Sequence, residues 1–395
     1  MSILGWILVV LTGLLAAGMV YLYLLALIGF LARLAGKSGA STDTMRFLVL
    51  VPAHNEGEGL LPTLNSLKGL VTKHSVELGV IADNCTDTTA EVARQAGVVV
   101  LERTDPDRRG KGHALRWAIT EIGLDSYDAV AVVDADTIVM PNMLEAMAAG
   151  LQYGADAVQT CYQFTPSDES STSQLQYIAS LVENHLFYKP RAILGFPSIL
   201  RGSGMAVRSE ILAEHPFDSS SITEDVDFSI RLSKLGHRVQ YTSASTVFSA
   251  ATVNYQQATT QKSRWASGTF ALIADHFIPL IGTGLRGRPG LIELAFSLLL
   301  VSRPLLVFGS GVLMLLGLLV SGTLGRLIVA ANAAIAVFVV VYLLLGILLT
   351  KDKGRAIRAL AHIPAYGLWF LGIQLRSLLG FRRDDWQRTQ RKTDV

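Results

Sequence analysis

Two carboxylates, Asp134 and Asp136, flank one alanine at the end of the apolar run 129–133 (AVAVV). A run of this kind reads as a buried strand. Carboxylates at the C-terminal end of a strand stand in the crevice where open α/β sheets take ligands. Two such groups repel unless a cation lies between them and an anionic ligand. A hard divalent ion, Mg²⁺ or Mn²⁺, held by one or two carboxylates and a diphosphate, relieves that repulsion. An aspartate that only caps a helix beginning near Pro141 accounts for the same pair equally well.

Further motifs narrow the choice. Residues 49–56 read VLVPAHNE, a strand entering a polar turn, and residues 80–87 read VIADNCTD, a second strand ending in Asp83. The segment 109–112 (RGKG) opens a helical stretch, and helix N-termini offer free N–H groups to phosphate. Thr223, Glu224 and Asp225 follow, then 261–265 (QKSRW). Residues three and four apart on a helix share a face, so Gln261, Arg264 and Trp265 can meet one cleft. The planar fork of Arg264 suits a diphosphate, and Trp265 suits stacking on a sugar. The plainer readings are turn chemistry for His54 and Asn55, helix-start charge for Lys111, Glu224 and Asp225, a tight turn at 202–204, and a membrane-surface helix for 261–265.

These residues need elements to position them. Runs at 46–53, 77–83, 98–102 and 129–134 read as buried strands, and 86–96 and 111–122 carry helical spacing. Strand–helix alternation predicts an α/β domain with a mostly parallel sheet over about 45–280. Half of the 395 residues are hydrophobic, charged residues are 17%, and the mean hydropathy is +0.40. That composition points to membrane segments. Residues 3–32 are uncharged and long enough to cross a bilayer, with Arg33 and Lys37 behind them and a polar linker at 39–44. Residues 327–350 form a second clean span, followed by Lys351, Lys353, Arg355 and Arg358. The stretch 291–320, broken by Glu293, Arg303 and Pro304, reads as a span or as a re-entrant pair around Pro304. Basic flanks favour the cytosolic side, which puts the α/β domain there. The expected organisation is one span within 1–35, two within 290–350, and an interfacial helix with a basic tail over 355–395. A net charge of +2 gives no case for nucleic acid. Cys85, Cys161, His113 and His276 have no partners at ligand spacing.

In this order, the motifs resemble those of the family 2 glycosyltransferases with a GT-A fold. The branch most similar is that of the membrane-embedded cellulose, hyaluronan, chitin and poly-N-acetylglucosamine synthases. The likeness runs motif by motif from Met45 to about Asp275 and in outline to the flanking helices and the tail at 386–389. The resemblance implies that Pro52, Asn55, Glu56 and Asp83 lie near the nucleoside, and that Lys111, Asp134, Gln261 and Arg264 bind the nucleotide or donor sugar. It implies Asp136 as the ligand of Mg²⁺ or Mn²⁺ and Asp225, with Glu224 beside it, as the general base. Trp265 and the loop Gly202, Ser203, Gly204 would meet the acceptor. Two positions depart from the family pattern: Ala82 stands where the first of two aspartates is usual, and Asn84-Cys85 where Gly-Ser is usual.

The expected activity is inverting transfer from a UDP-sugar to a growing glycan, in a multi-pass protein of the bacterial inner membrane. Its partners would be the UDP-sugar, a glycan or lipid-linked acceptor, membrane lipids and, for export, a partner subunit. Single transfer to a lipid carrier shares every donor-side residue. A non-catalytic sensor subunit is disfavoured because Asp83, Asp134, Asp136 and Asp225 are all present. A Rossmann dehydrogenase would need a GxGxxG motif after its first strand.

Overall fold

The computed structural model describes residues 3–32, 43–166, 170–217, 223–252, 255–300 and 303–379. Arg33, Lys37, most of the 39–44 linker, and the tail with Arg382, Arg383 and 386–389 lie outside the described residues.

Among the described residues eight strands form one sheet: β1 (Arg46–Ala53), β2 (Ser75–Asp83), β3 (Val99–Arg103), β4 (Ala129–Val132), β5 (Thr137–Val139), β6 (Ala157–Thr165), β7 (Met205–Arg208) and β8 (Val239–Ala250). Their spatial order is β3-β2-β1-β4-β7-β6-β8-β5. The β3-β2-β1-β4 half is parallel throughout, as strand–helix alternation requires. In the other half β6 runs parallel to β8, while β7 opposes both β4 and β6, and β5 opposes β8. Parallel pairing thus prevails in a mixed sheet.

The reason the first strands read as unbroken apolar runs is burial on both faces. Phe47, Val49 and Val51 pack with Leu60, Leu64, Met143 and Met147 on one side. Leu48, Leu50, Val130 and Val132 pack with Leu115, Ala118, Phe228 and Leu232 on the other. After β4 the chain leaves the middle of the sheet and reappears as β5 at its edge. Residues 134–136 make that exit, so both carboxylates sit at a break in the layer.

Among the described residues three helices are long and apolar enough to cross a membrane: Ile3–Leu31, Ala258–Leu285 and Gly322–Leu348. The second lies in the part read from sequence as domain and carries the 261–265 motif at its start. Two further pairs are bent: Gly290–Leu300 with Arg303–Gly317 by 76°, and Lys353–Leu360 with Ile363–Leu378 by 66°. The single interfacial helix expected over 356–381 is therefore two helices, the second starting with Pro364 in its first turn. Thr12 accepts a hydrogen bond from Asn332 at 2.8 Å, and Tyr23 donates to the Phe338 carbonyl at 2.8 Å, so the Ile3–Leu31 and Gly322–Leu344 helices run parallel. The Arg303–Gly317 helix runs the other way: Arg303 meets Glu183 of the α/β domain, whereas Leu313 packs on Leu8 and Ile328.

Candidate active site

A cavity of about 1400 Å³ begins at the C-terminal edge of the parallel strands and continues among the apolar helices. At its sheet end Pro52, Asp83, Lys111, Asp134, Asp136 and Asp225 line the wall. They arrive from five places: the ends of β1 and of β2, the first residue of the Lys111–Ile122 helix, the β4–β5 exit, and the first turn of the Glu224–Leu235 helix. Glu56, Glu224, Gln261, Arg264, Trp265 and Gly202 line it as well.

The centre of the cluster is Lys111. Its ammonium donates to the Asp134 carboxylate and to the Gly202 carbonyl. Gly202 has φ +80°, and a Cβ there would lie 3.1 Å from Asp225 Oδ2 and 3.2 Å from Lys111 Nζ. The base candidate and the donor-side lysine therefore approach one backbone point, where a side chain would crowd both.

Crowding of acids shifts their protonation. Burial and the neighbouring Asp225 push Glu224 up to about 7, against the pull of Lys111. Burial raises Asp225 above the ordinary carboxylate range, although Lys111 and the Val226 N–H, which donates to Asp225 Oδ1 at 2.8 Å, oppose the shift. Burial alone would lower Lys111, but Asp134 and Glu224 outweigh it and hold the ammonium charged. A carboxylate raised toward neutrality is a stronger proton acceptor than an exposed one.

Asp83 is buried and accepts from Arg103 Nη1 at 2.6 Å and from Asn84 Nδ2 at 3.0 Å. Arg103 also binds Asp105 at 2.9 Å. Asn84 has φ 51°, the left-handed region that asparagine tolerates better than other side chains. The Asn84 departure thus keeps a turn that glycine would also make.

Among the described residues no group of three or more His, Cys, Asp and Glu could hold a metal by itself. The protein offers the Asp134 and Asp136 carboxylates, hard oxygen donors at one mouth. That fits an ion that completes its shell with diphosphate and water.

Three predicted residues are not at the cavity wall. Asn55 accepts from the Thr86 N–H at 2.7 Å and shapes the turn after β1. Ser203 is fully buried; its hydroxyl accepts from the Asp134 N–H at 3.0 Å and donates to Thr137 at 3.0 Å. Gly204 packs where a Cβ would lie 2.5 Å from Thr160 Oγ1. Ser203 and Gly204 therefore brace the Asp134 exit from behind. Trp265 lines the cavity, but the Lys262 ammonium lies over its ring at 4.6 Å, and Phe164 is 6.3 Å away. The Gln261 amide oxygen is buried there with no hydrogen-bond partner among the described residues. His276 binds Asp227 at 2.8 Å and ties its helix to the one that carries Asp225.

Sequence reasoning missed Arg103, which no motif marks, and Arg201 and Lys262, which touch motifs that were read. Arg201 immediately precedes the 202–204 loop, and Lys262 lies inside 261–265.

Residues 45–268, more than half of the chain, match the family model described as glycosyltransferase like family 2. A probable glycosyltransferase of Bacillus subtilis, YdaM, is 25% identical over 236 residues, 56% of this chain and 54% of that protein. The poly-β-1,6-N-acetyl-D-glucosamine synthase of Staphylococcus aureus is 25% identical over 245 residues, 59% of this chain and 57% of that protein. The chain thus spans about half the length of these relatives. Among solved structures, the mannosyltransferase PcManGT of Pyrobaculum calidifontis, in complex with GDP-Man and Mn²⁺, superposes with a TM-score of 0.58 at 16% identity, covering 93% of this chain and 99% of that one. The family match and the shared fold lead to one conclusion: the chain belongs to the family described as glycosyltransferase like family 2 and has a GT-A fold.

Proposed function

We propose that the chain transfers a sugar from a UDP-sugar, with inversion at the anomeric carbon, to a glycan acceptor at the membrane. The carrying observation is the convergence of Asp225 and the Lys111–Asp134 pair on Gly202, inside a single cavity. Asp225 takes the proton of the acceptor hydroxyl as its oxygen bonds to the anomeric carbon. The bond from that carbon to the diphosphate oxygen breaks, and its electron pair leaves on UDP. Lys111 and Arg264 hold the negative phosphates, while Asp83 and the turn at Pro52 and Glu56 hold the nucleoside. Asp136 would hold Mg²⁺ or Mn²⁺, which would supply charge neutralisation at the leaving diphosphate, and Asp134, paired with Lys111, would meet the nucleotide or donor sugar.

Transfer by this route needs no covalent intermediate, because one carboxylate base suffices for direct displacement. The S. aureus relative, a poly-N-acetylglucosamine synthase by name, supports a growing glycan as acceptor. The apolar helices support a multi-pass placement in the bacterial inner membrane with the α/β domain cytosolic, and leave room for a partner subunit in export.

The test is UDP release by the purified full chain supplied with UDP-sugars and Mn²⁺. Asp225→Asn should lower release by at least about a hundredfold while UDP binding stays. Turnover within a few-fold of the parent would remove the base assignment.

A further inference from the structure

Between Leu200 and Gly204 the backbone passes Asp225 and Lys111, and its polar groups need partners there. Neighbouring elements hold the two ends. The Leu200 N–H donates to Ser229 Oγ at 2.6 Å, on the helix that begins with Glu224 and Asp225. The Gly204 N–H donates to the Val132 carbonyl, and the Gly204 carbonyl accepts from the Thr160 N–H, both at 2.9 Å. Inside these limits one side chain takes both sides of Gly202. The Gln159 amide oxygen accepts from the Arg201 N–H at 2.7 Å, and its nitrogen donates to the Ser203 carbonyl at 2.8 Å. The same nitrogen reaches the carbonyls of Thr160 at 3.0 Å and Gly204 at 3.3 Å.

A primary amide carries donors and an acceptor on one planar group, so Gln159 can clamp the residues before and after Gly202 at once. The clamp matters because Gly202 (φ +80°) and Gly204 (φ +66°) both stand in the left-handed region, and glycine has wide backbone freedom to lose. With its neighbours held, Gly202 offers its carbonyl to the Lys111 ammonium and its α-carbon to the Asp225 carboxylate. Gln159 itself is fully buried in β6 and does not line the cavity. Any influence on the chemistry must pass through the loop.

We propose that Gln159 is a positioning residue for sugar transfer: its amide fixes the backbone of Gly202, and with it the spacing between the Asp225 carboxylate and the Lys111–Asp134 pair. This rests on the transferase reading of the cavity and adds to it a residue that touches neither donor nor acceptor.

The experiment uses the full chain with Mn²⁺ and UDP-sugars. Gln159→Leu keeps an apolar side chain of similar bulk in the core and removes both sides of the clamp. We expect kcat for UDP release to fall at least about tenfold, since small misplacements of reacting groups are costly. KM for the UDP-sugar should stay within about threefold, because the amide does not touch the wall at Pro52 and Asp83. Gly202→Ala displaces the same backbone point, so adding Gln159→Leu to it should lower kcat by less than about threefold more. Losses that multiply, a kcat of Gln159→Leu within threefold of the parent, or an effect confined to KM would each overturn the proposal. Amide hydrogen exchange of the parent chain tests the clamp without a variant and without turnover. The Arg201 N–H should exchange as slowly as the paired amides of β6. Exchange at least tenfold faster than β6 would overturn the clamp, even where Gln159→Leu fails to fold. Absence of UDP release from the parent with every UDP-sugar would overturn the transferase reading, and the exchange of Arg201 would still decide the clamp.

Discussion

At the scale of single residues, the loop at 202–204 contains two glycines with opposite jobs. A Cβ on Gly202 would press on Asp225 Oδ2 and Lys111 Nζ, the flexible ends of two functional side chains. On Gly204 it would press on Thr160 and Val247 inside the sheet, at 2.5 Å and 2.7 Å. Gly202→Ala should therefore misplace the chemistry and lower UDP release by roughly a hundredfold, with a modest loss of stability from its positive φ. Gly204→Ala should show the reverse balance, losing about 1–3 kcal/mol of stability by overpacking. Melting curves beside UDP-release rates separate the two; equal effects on both readouts would contradict this division. Glu224 gives a prediction with a sign. Its carboxyl is held near 7, above its ordinary 4.5, so between these values the folded protein keeps a proton that the unfolded chain has lost. Stability then falls as pH rises through that window, by up to about 3 kcal/mol. Glu224→Gln removes the slope. In metal- and nucleotide-free protein the variant should gain on the parent between pH 5 and pH 8, and a constant gap would refute the shift. The chemistry-bearing residues themselves were legible because their types are unusual at strand ends. The division of labour within 202–204 was not legible, because it depends on which neighbours each backbone atom meets.

At the scale of elements, legibility followed the range of the interactions. The limits of β1 and of the Lys111–Ile122 helix match the reading of the bare sequence, since continuous apolar runs and a glycine-flanked helical period are local signals. β4 ends at Val132, two residues before the expected 134, because the backbone of Asp134 turns aside to bond Ser203. The β6–β8 half was not legible as a sheet. Its order rests on pairings between distant segments, and β6 shifts register against β8 at Thr160/Cys161. Glu293 shows the same limit in a helix. In sequence it only interrupts an apolar run; in the fold it accepts two bonds from Arg191, at 2.7 Å and 2.8 Å, and one from Tyr21. Arg191 is 2% exposed, so removing its partner leaves a buried cation. Glu293→Gln should cost about 3–5 kcal/mol. Replacing both partners with apolar residues (Arg191→Met with Glu293→Leu) should cost less than the single change, because no charge is then stranded. A double variant less stable than Glu293→Gln would show that the pair contributes net stability.

At the scale of the whole molecule, the direction of each apolar helix decides where the α/β domain lies relative to a bilayer. The Ile3–Leu31 and Gly322–Leu344 helices both run toward the domain, and Arg303–Gly317 runs away from it, as their contacts at Asn332, Phe338, Glu183 and Leu8 require. The Lys353–Leu360 helix then packs on Ser171–Glu183 of the domain. We propose that these helices make one crossing before the domain and an out-and-back pair after it, with the Ala258–Leu285 helix staying on the domain's side; their directions put the basic residues 351–358 on that side too. Ser321, at the start of Gly322–Leu344, is exposed at the opposite end. Basic flanks favour the cytosol, so Ser321 should face outward. In a background with both cysteines replaced by serine, the thiol introduced by Ser321→Cys should react with a membrane-impermeant maleimide in intact cells. That of Lys351→Cys should react only after the membrane is opened. The reverse pattern would put the domain outside, where no cytosolic pool of nucleotide sugar reaches it, and labelling of both thiols in intact cells would mean that the helix between them does not cross.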